Sequence, residues 1–350
     1  MPTVSHEELL SFATEIVRAM GTSADEAEVI ARSLVDANLA GHDSHGVIRL
    51  EQYAQMVRVG AIILGGPVTV IKETPATALL DGGWNFGQLV ARRAMDVALR
   101  KARQWGVSTV SVRNSNHLGR LGEYTLLAAK AEMIGIGCVN NHGHGNIVAP
   151  FGGMDGRLAT NPISIASPGP ERPLLLDITT SVVAEGKVRV KRNVGERVPL
   201  GWLINYRGEP TTDPNDLYTD PPGAILPLGG EVAHKGYGLA VMVDVLAGAL
   251  SGAGCSQSAT ARPGNATFFT VVDIGKFVPL EEFRRHVEVL INHVRASPLA
   301  PGGREILMPG EVEFREEERR RREGIPIDPE TWRQLVECAR ELGVAAPAVT

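Results

Sequence analysis

From residue 76 onward the hydrophobic period of the chain keeps switching, and that switching restricts the fold more than any other feature. A short apolar run, Ala76 to Leu80, precedes a turn at Asp81-Gly82-Gly83, a helix-period stretch from Gly87 to Trp105 and a β-branched run from Val107 to Val112. A second helical stretch, Gly119 to Met133, leads into Ile134 to Val139. The β-α-β-α-β order specifies an α/β domain with parallel pairing. Further strands are expected at Leu174 to Ile178 and at Thr267 to Ile274, with a helix from Gly236 to Leu250 between them. The apolar stretch Gly238 to Gly254 carries Asp244, and its Gly and Ala content suits close packing better than a lipid span, so it reads as a buried helix.

Both ends of the chain read as helical. Ser5 with Glu8 and Ser23 with Glu26 fit capping boxes, and Ile30, Leu34 and Ala37 follow at helical spacing. The chain therefore divides into an N-terminal helical segment (1–75), an α/β domain (76–278) and a C-terminal helical segment (279–350) that shares a layer with the first. Glu316 to Glu318 stand four residues before Arg320 to Arg322, the favourable orientation for ion pairs on a solvated helix. The acids nearly cancel the bases there, and the whole chain has a net charge of -5, so nucleic acid is not an expected partner. Three widely spaced cysteines, Cys138, Cys255 and Cys338, form no CxxC and leave an odd thiol under any pairing. With acidic Glu7 and Glu8 where a secretory signal needs basic and then apolar residues, the expectation is a cytoplasmic protein without a membrane partner.

Three polar clusters carry chemistry. In the first, a helix starting near Ser44 would put His45, Arg49 and Tyr53 on one face, presenting an imidazole, a guanidinium fork and a phenol. Such a set fits a small carboxylate, because Arg binds it bidentately while His or Tyr bonds an adjacent oxygen. The plain alternative is a capped helix with its polar stripe in water. The second cluster, Asn114 to Gly122, follows a strand at its carboxyl end, where open α/β sheets bind ligands. His117 would lie near a helix start whose dipole lowers its pKa and keeps the ring poised near neutrality. An Asn-rich turn with local caps is the competing reading. The third, Asn140 to Asn146, holds His142 and His144 in a Gly-rich loop, but they share no helix face and no Cys or HExxH accompanies them, so no metal site is expected. Neither Gly82 to Gly87 nor Gly143 to Val148 reads G-x-G-x-x-G, so an ordinary Rossmann turn is not indicated.

Taken together, Ser44-His45-Gly46 with Arg49 and Tyr53, Asn114 to Gly119, Ala149 to Gly153, Thr160-Asn161-Pro162, Asp177 to Lys187, Gly201-Trp202, Pro210 to Pro214, His234 to Leu239 and Pro309-Gly310-Glu311 resemble the type 2 malate/L-lactate dehydrogenase family. That family also holds ureidoglycolate, sulfolactate and diketogulonate enzymes and a cyclic imine reductase. Through Asn38 to Gly46 and His234 to Tyr237, the chain is most similar to its hydroxycarboxylate dehydrogenase B branch. The resemblance implies a non-Rossmann, mixed-sheet NAD(P)-binding domain, a helical domain from both chain ends, and a homodimer. It implies NAD as cofactor, with NADP as the alternative, and hydride transfer between nicotinamide and C2 of a small 2-hydroxy or 2-oxo acid.

The resemblance also assigns roles. Positions matching Thr160, Asn161, Pro162, Asp177, Ile178, Thr179, Thr180, Ser181, Val182, Val183, Lys187, His234, Lys235, Pro309, Gly310 and Glu311 line the cofactor. Those matching Ser44, Arg49, Tyr53 and Asn141 hold the substrate, and His117 or His45 moves the proton, with Asp177 orienting one of them. The Gly-His-Gly-His pattern in the Asn140 to Asn146 loop departs from the family's usual Thr-Asn-Ser type and bears on substrate choice. Alternatives are an NADPH-dependent reductase of a cyclic imine carboxylate and, from another class, a non-catalytic carboxylate-binding protein or a lyase.

Overall fold

In the computed structural model, which describes residues 2–143, 146–257 and 262–347, the period switching becomes a mixed α/β fold. The N-terminal part is β1 (Thr3–Val4), α1 (His6–Ala19), α2 (Ala24–Leu39) and α3 (Arg49–Arg58). Ser23 and Glu26 complete the expected capping box of α2, and the Ser5 side chain accepts from the Glu8 amide at the start of α1. Caps of this kind stabilise a helix by about 1 kcal/mol each.

The sheet begins with β2 (Thr69–Glu73), β3 (Thr77–Asp81), α4 (Gly87–Trp105), β4 (Val107–Ser115), α5 (Gly122–Lys130) and β5 (Met133–His142). It continues with β6 (Ile163–Ser167), β7 (Leu174–Ile178) and α6 (Glu185–Asn193). Short β8 (Leu203–Ile204), β9 (Pro210–Thr211) and β10 (Ala224–Ile225) form a separate small sheet. There follow α7 (His234–Asp244), β11 (Gly264–Asp273), α8 (Leu280–Arg295), α9 (Glu311–Glu323), β12 (Ile325–Pro326) and α10 (Pro329–Glu341).

Seven strands lie in the order β2-β3-β4-β11-β5-β6-β7. The expected parallel pairing holds only for β3 with β4. β11 inserts between β4 and β5 and runs antiparallel to both, so the strands of the β-α-β-α-β unit keep a common direction without all being neighbours. Sequence order fixes strand direction here but not adjacency, because β11 is supplied from more than 120 residues downstream of β5. The buried stripe of α4, including Val90, Ala91, Ala94, Met95 and Ala98, packs with Val110, Val112, Phe269 and Val271 of the sheet. That helix stops at Gly106, whose φ of 85° accommodates the left-handed cap.

The two chain ends meet. β1 pairs with β12, and Leu9, Ile16, Ile30, Leu34 and Leu50 share one core with Ile325, Ile327, Leu335 and Ala339. The stretch after Gly236 departs from a buried helix. α7 continues as a π-helical turn over Val245–Ala249, and Met242 (53%), Val245 (42%) and Leu250 (57%) are exposed. No helix among the described residues is long and apolar enough to cross a membrane.

Candidate active site

The loop between β4 and α5 places His117, and a side chain on that loop fixes its path. Asn116 donates through Nδ2 to the carbonyls of Trp84 (2.6 Å), Asn85 (3.1 Å) and Ala61 (3.2 Å). The first turn of α4 lies directly against this loop because residue 87 is glycine. A Cβ there would stand 2.3 Å from the Asn116 carbonyl and 2.5 Å from that of His117. α5 starts only at Gly122, five residues beyond His117, so a helix dipole is not what tunes this imidazole. Burial is the main cause, with the charges of Arg49 and His45 adding to it, and together they hold the His117 pKa well below its ordinary value.

The expected continuous helix from Ser44 is also replaced. Asp43–His45 form a 3-10 turn, Gly46 is extended, and α3 begins at Arg49. Asn38 interrupts the helix, since its Oδ1 accepts from the Val47 amide (2.8 Å) and its side chain occupies the space a Cβ on Gly46 would need. Only Arg49 and Tyr53 share a helical face, and His45 arrives from the turn. The result still gathers the predicted groups. His45 stacks on His117 with ring centroids 5.6 Å apart and planes 17° apart, and the Tyr53 hydroxyl lies 2.7 Å from His117 Nδ1.

Arg49 donates through Nε to the Ser44 carbonyl (2.7 Å) and through Nη1 to Gln52 (2.8 Å), which leaves the end of its fork for a ligand. Ser44 Oγ lies 3.2 Å from His45 Nδ1. Burial, reinforced by Arg49, His42 and Arg120, pulls the His45 pKa down to about 3, so both imidazoles are neutral near pH 7. Burial pushes the Tyr53 phenol up to about 12 against the pull of Arg49 and of the Gln88 hydrogen bond. The group therefore combines one cation, two neutral imidazoles and a protonated phenol, a composition able to anchor an acid and move a proton beside it.

The segments expected to line the cofactor come together by backbone contacts. Thr180 donates to the Thr160 carbonyl through both its amide and its hydroxyl (3.0 Å each), and the hydroxyl also reaches the Asn161 carbonyl (3.1 Å). This joins the loop before β6, ending in Pro162, to the stretch Asp177-Ile178-Thr179-Thr180-Ser181-Val182-Val183. Leu228 and Val182 amide bonds tie that stretch to the chain leading into α7, where His234 and Lys235 are exposed in the first turn. Pro309 accepts from the Leu175 amide (3.0 Å), bringing Gly310 to the edge of β7. Lys187 is exposed on α6. The same helix abuts the Asp43–His45 turn, because a Cβ on Gly186 would fall 2.4 Å from that of Ser44.

Two expectations change in detail, those for Asp177 and Glu311. Asp177 does not orient an imidazole among the described residues; its Oδ2 instead accepts from the Gly122 amide (2.9 Å) and Arg120 Nε (3.3 Å). Glu311 is engaged by the Met308 amide (2.7 Å) and Arg295, so its oxygens are already partnered. Asn141 sits on β5 opposite Asn265, half-buried, on the strand beyond the one that His117 follows. His144 and Gly145 lie outside the described residues.

Three residues escape the sequence reading. Arg120, 92% buried, pairs with Asp177 and keeps Nη2 without a partner among the described residues. Arg320, expected on a solvated face, is buried instead, where it grips both Asp43 oxygens (2.6 and 3.1 Å) and the Asn38 carbonyl (2.7 Å). In sequence it is indistinguishable from Arg321. Gln88 is 1% exposed and donates to the Tyr53 hydroxyl (2.8 Å); the available signal was a polar residue on the otherwise apolar stripe of α4. Two orphaned buried atoms, Arg120 Nη2 and Asn161 Oδ1, supply a cationic donor and an acceptor, which fits an anionic, hydrogen-bonding dinucleotide. Among the described residues no group of three His, Cys, Asp or Glu is gathered for a metal ion.

Comparison with known proteins gives the family and the fold. The family model described as malate/L-lactate dehydrogenase matches residues 4–336. A malate dehydrogenase of Pyrococcus abyssi is 42% identical, with 97% of this chain and 95% of that one covered. Hydroxycarboxylate dehydrogenase B of Escherichia coli is 36% identical, with 96% and 93% covered. Among solved structures, malate dehydrogenase from Pyrococcus horikoshii superposes with a TM-score of 0.89 at 38% identity, covering 99% of this chain and 97% of that one.

Proposed function

Since the chain belongs to the malate/L-lactate dehydrogenase family, whose members are nicotinamide-dependent oxidoreductases of hydroxy and oxo acids, we propose that its reaction takes place between Arg49, His45 and His117. The observation that carries this reading is the 2.7 Å contact between the Tyr53 hydroxyl and His117 Nδ1, in a side-chain cluster that also holds the stacked His45 and Arg49. A bound nicotinamide supplies or takes the hydride at C2 of the acid. Arg49 anchors the substrate carboxylate end-on, and Ser44 and His45 bond its second oxygen or the adjacent hydroxyl. His117, with Nδ1 committed to Tyr53, has Nε2 left to give a proton to the oxo oxygen or to take one from the hydroxyl. Asn141 borders the substrate.

The cofactor lies outside a Rossmann turn, along Thr160 to Pro162, Asp177 to Val183, Lys187, His234-Lys235 and Pro309 to Glu311. Arg120 Nη2 offers its open donor to a phosphate and Asn161 Oδ1 its acceptor to an N–H or hydroxyl. NAD is the first choice and NADP the second. The exposed apolar row of Met242, Val245 and Leu250 supports a homodimer, and the three unpaired cysteines suit a reducing cytoplasm.

The test is a panel of pyruvate, oxaloacetate, 2-oxoglutarate, phenylpyruvate and cyclic imine carboxylates against NADH and NADPH. The expected result is 2-oxo-acid-dependent loss of reduced-nicotinamide absorbance. Oxidation of cofactor with imines alone overturns the substrate class.

A further inference from the structure

The Gln88 side chain makes one hydrogen bond among the described residues, and its burial asks for a reason. The side chain is 1% exposed; its Nε2 donates to the Tyr53 hydroxyl (2.8 Å), while Oε1 is buried with no partner among the described residues. A buried amide oxygen left unpaired costs about 1–3 kcal/mol, which an apolar residue on this face of α4 would avoid. The glycine before it lets α4 press against the His117 backbone, so the amide is set against the phenol by close packing.

The hydrogen-bond directions then follow from donor arithmetic. An amide nitrogen only donates, so the Tyr53 oxygen accepts from Gln88. The phenol has a single proton, and its other neighbour is His117 Nδ1 at 2.7 Å, so that proton points at Nδ1. With Nδ1 accepting, the neutral ring carries its own hydrogen on Nε2. We propose that Gln88 is a positioning residue that sets the tautomer of His117 through Tyr53, holding Nε2 protonated and ready to donate to a 2-oxo acid.

This rests on the reading of His117 as the proton carrier, and the proton balance is explicit. As hydride adds to C2, the Nε2–H bond breaks, its electron pair stays on nitrogen, and a new O–H bond forms on the substrate oxygen. The Tyr53 proton crosses to Nδ1, leaving the negative charge on the phenol oxygen, where the Gln88 N–H and the Arg49 charge act on it. After product leaves, a solvent proton enters at Nε2 and the Nδ1 proton returns to Tyr53.

The experiment is 15N NMR of histidine-labelled protein, with the His117 signals assigned by loss in His117→Asn, run beside steady-state kinetics. In the unaltered protein Nδ1 resonates as a bare nitrogen and Nε2 as a protonated one. Gln88→Glu presents an acceptor to Tyr53, so the phenol proton turns toward the carboxylate and the His117 proton moves to Nδ1. Gln88→Met, which keeps the volume, gives a mixture of tautomers. In Gln88→Glu, kcat for oxo-acid reduction falls by at least about tenfold with KM changed by less than about threefold. Retention of the Nε2–H signature in both variants overturns the proposal, and Gln88→Met alone decides it if Gln88→Glu does not fold. A tautomer shift without loss of reduction leaves Gln88 in control of the tautomer and removes His117 from the proton step instead.

Discussion

The two strands flanking β11 lead, at the same end of the sheet, to two imidazoles: the half-buried His117 just past β4 and the buried His142 at the last position of β5. Asn265 of β11 sits opposite Ser115 on one side and Asn141 on the other. Burial lowers the pKa of both rings. The difference lies in wiring. His117 is bonded to Tyr53, stacked on His45 and faced by Arg49, whereas neither nitrogen of His142 has a partner among the described residues. His142 instead packs edge-on to Trp84 (6.3 Å), with Asp244 pulling its pKa upward. Burial makes a histidine neutral; a hydrogen bond to one nitrogen makes the other one useful.

The strongest way to break this comparison is to remove each ring. His117→Ala should lower kcat by about 10²–10⁴, the usual contribution of a positioned proton carrier, with dinucleotide affinity measured by fluorescence titration nearly unchanged. His142→Leu should change kcat by less than about threefold, and because it deletes two unpaired buried nitrogens it should leave stability within about 1 kcal/mol or raise it. Equal losses of turnover would erase the distinction. Next in size, Arg49→Ala removes the charged donor proposed for the substrate carboxylate, and KM for the oxo acid should rise about 10- to 100-fold, corresponding to roughly 1.5–3 kcal/mol. An unchanged KM would move the anchor elsewhere.

A structural version of the same contrast exists on α9. Arg320 and Arg321 are neighbours in a run of arginines, but the first is buried against Asp43 and the Asn38 carbonyl, while Arg321 is 42% exposed over Glu317. Asp43 is half exposed, so the pair is screened on one side and falls short of the 3–5 kcal/mol of a fully buried one. Arg320→Ala should cost about 1–3 kcal/mol in urea unfolding and disturb the turn bearing Ser44 and His45, whereas Arg321→Ala should stay within about 0.5 kcal/mol.

These pairs also show what a sequence carries. The α4 boundaries, Gly87 and Trp105, and those of β7, Leu174 and Ile178, are legible because apolar period and flanking turn residues act locally. The grouping of Ser44, His45, Arg49, Tyr53 and His117 is legible as chemistry, although the helix that was to align His45, Arg49 and Tyr53 is broken by Asn38. What stays hidden is set by distant partners. The insertion of β11 between β4 and β5, the burial of Arg320 and the dependence of His117 on Gln88 all rest on contacts between residues far apart in the chain. The same holds for α7, where residue type alone does not tell a buried apolar face from an exposed one.

The smallest effect concerns acid stability. His45, His117 and His142 all have lowered pKa values in the folded chain, so the unfolded chain binds more protons at these sites below pH 6.5. Stability supplied by their neutral forms is full above that pH and declines as pH falls, by at most about 1.4 kcal/mol per pH unit for each proton of difference. Glu123 works the other way. Burial raises its carboxyl to about 7 despite the hydrogen bond from Ser33, so between about pH 4.5 and 7 the folded chain holds a proton that the unfolded chain has released. Its contribution is full at low pH and is lost as pH rises through 7, which offsets part of the histidine slope. Glu123→Gln removes that offset while keeping an acceptor for Ser33. Urea unfolding at pH 5, 6 and 7 should therefore show stability climbing more steeply with pH in Glu123→Gln than in the unaltered chain, the gap between the two slopes staying under about 1.4 kcal/mol per pH unit. Parallel curves would mean that Glu123 is ionised in the folded chain across this range, with the surrounding arginines outweighing its burial.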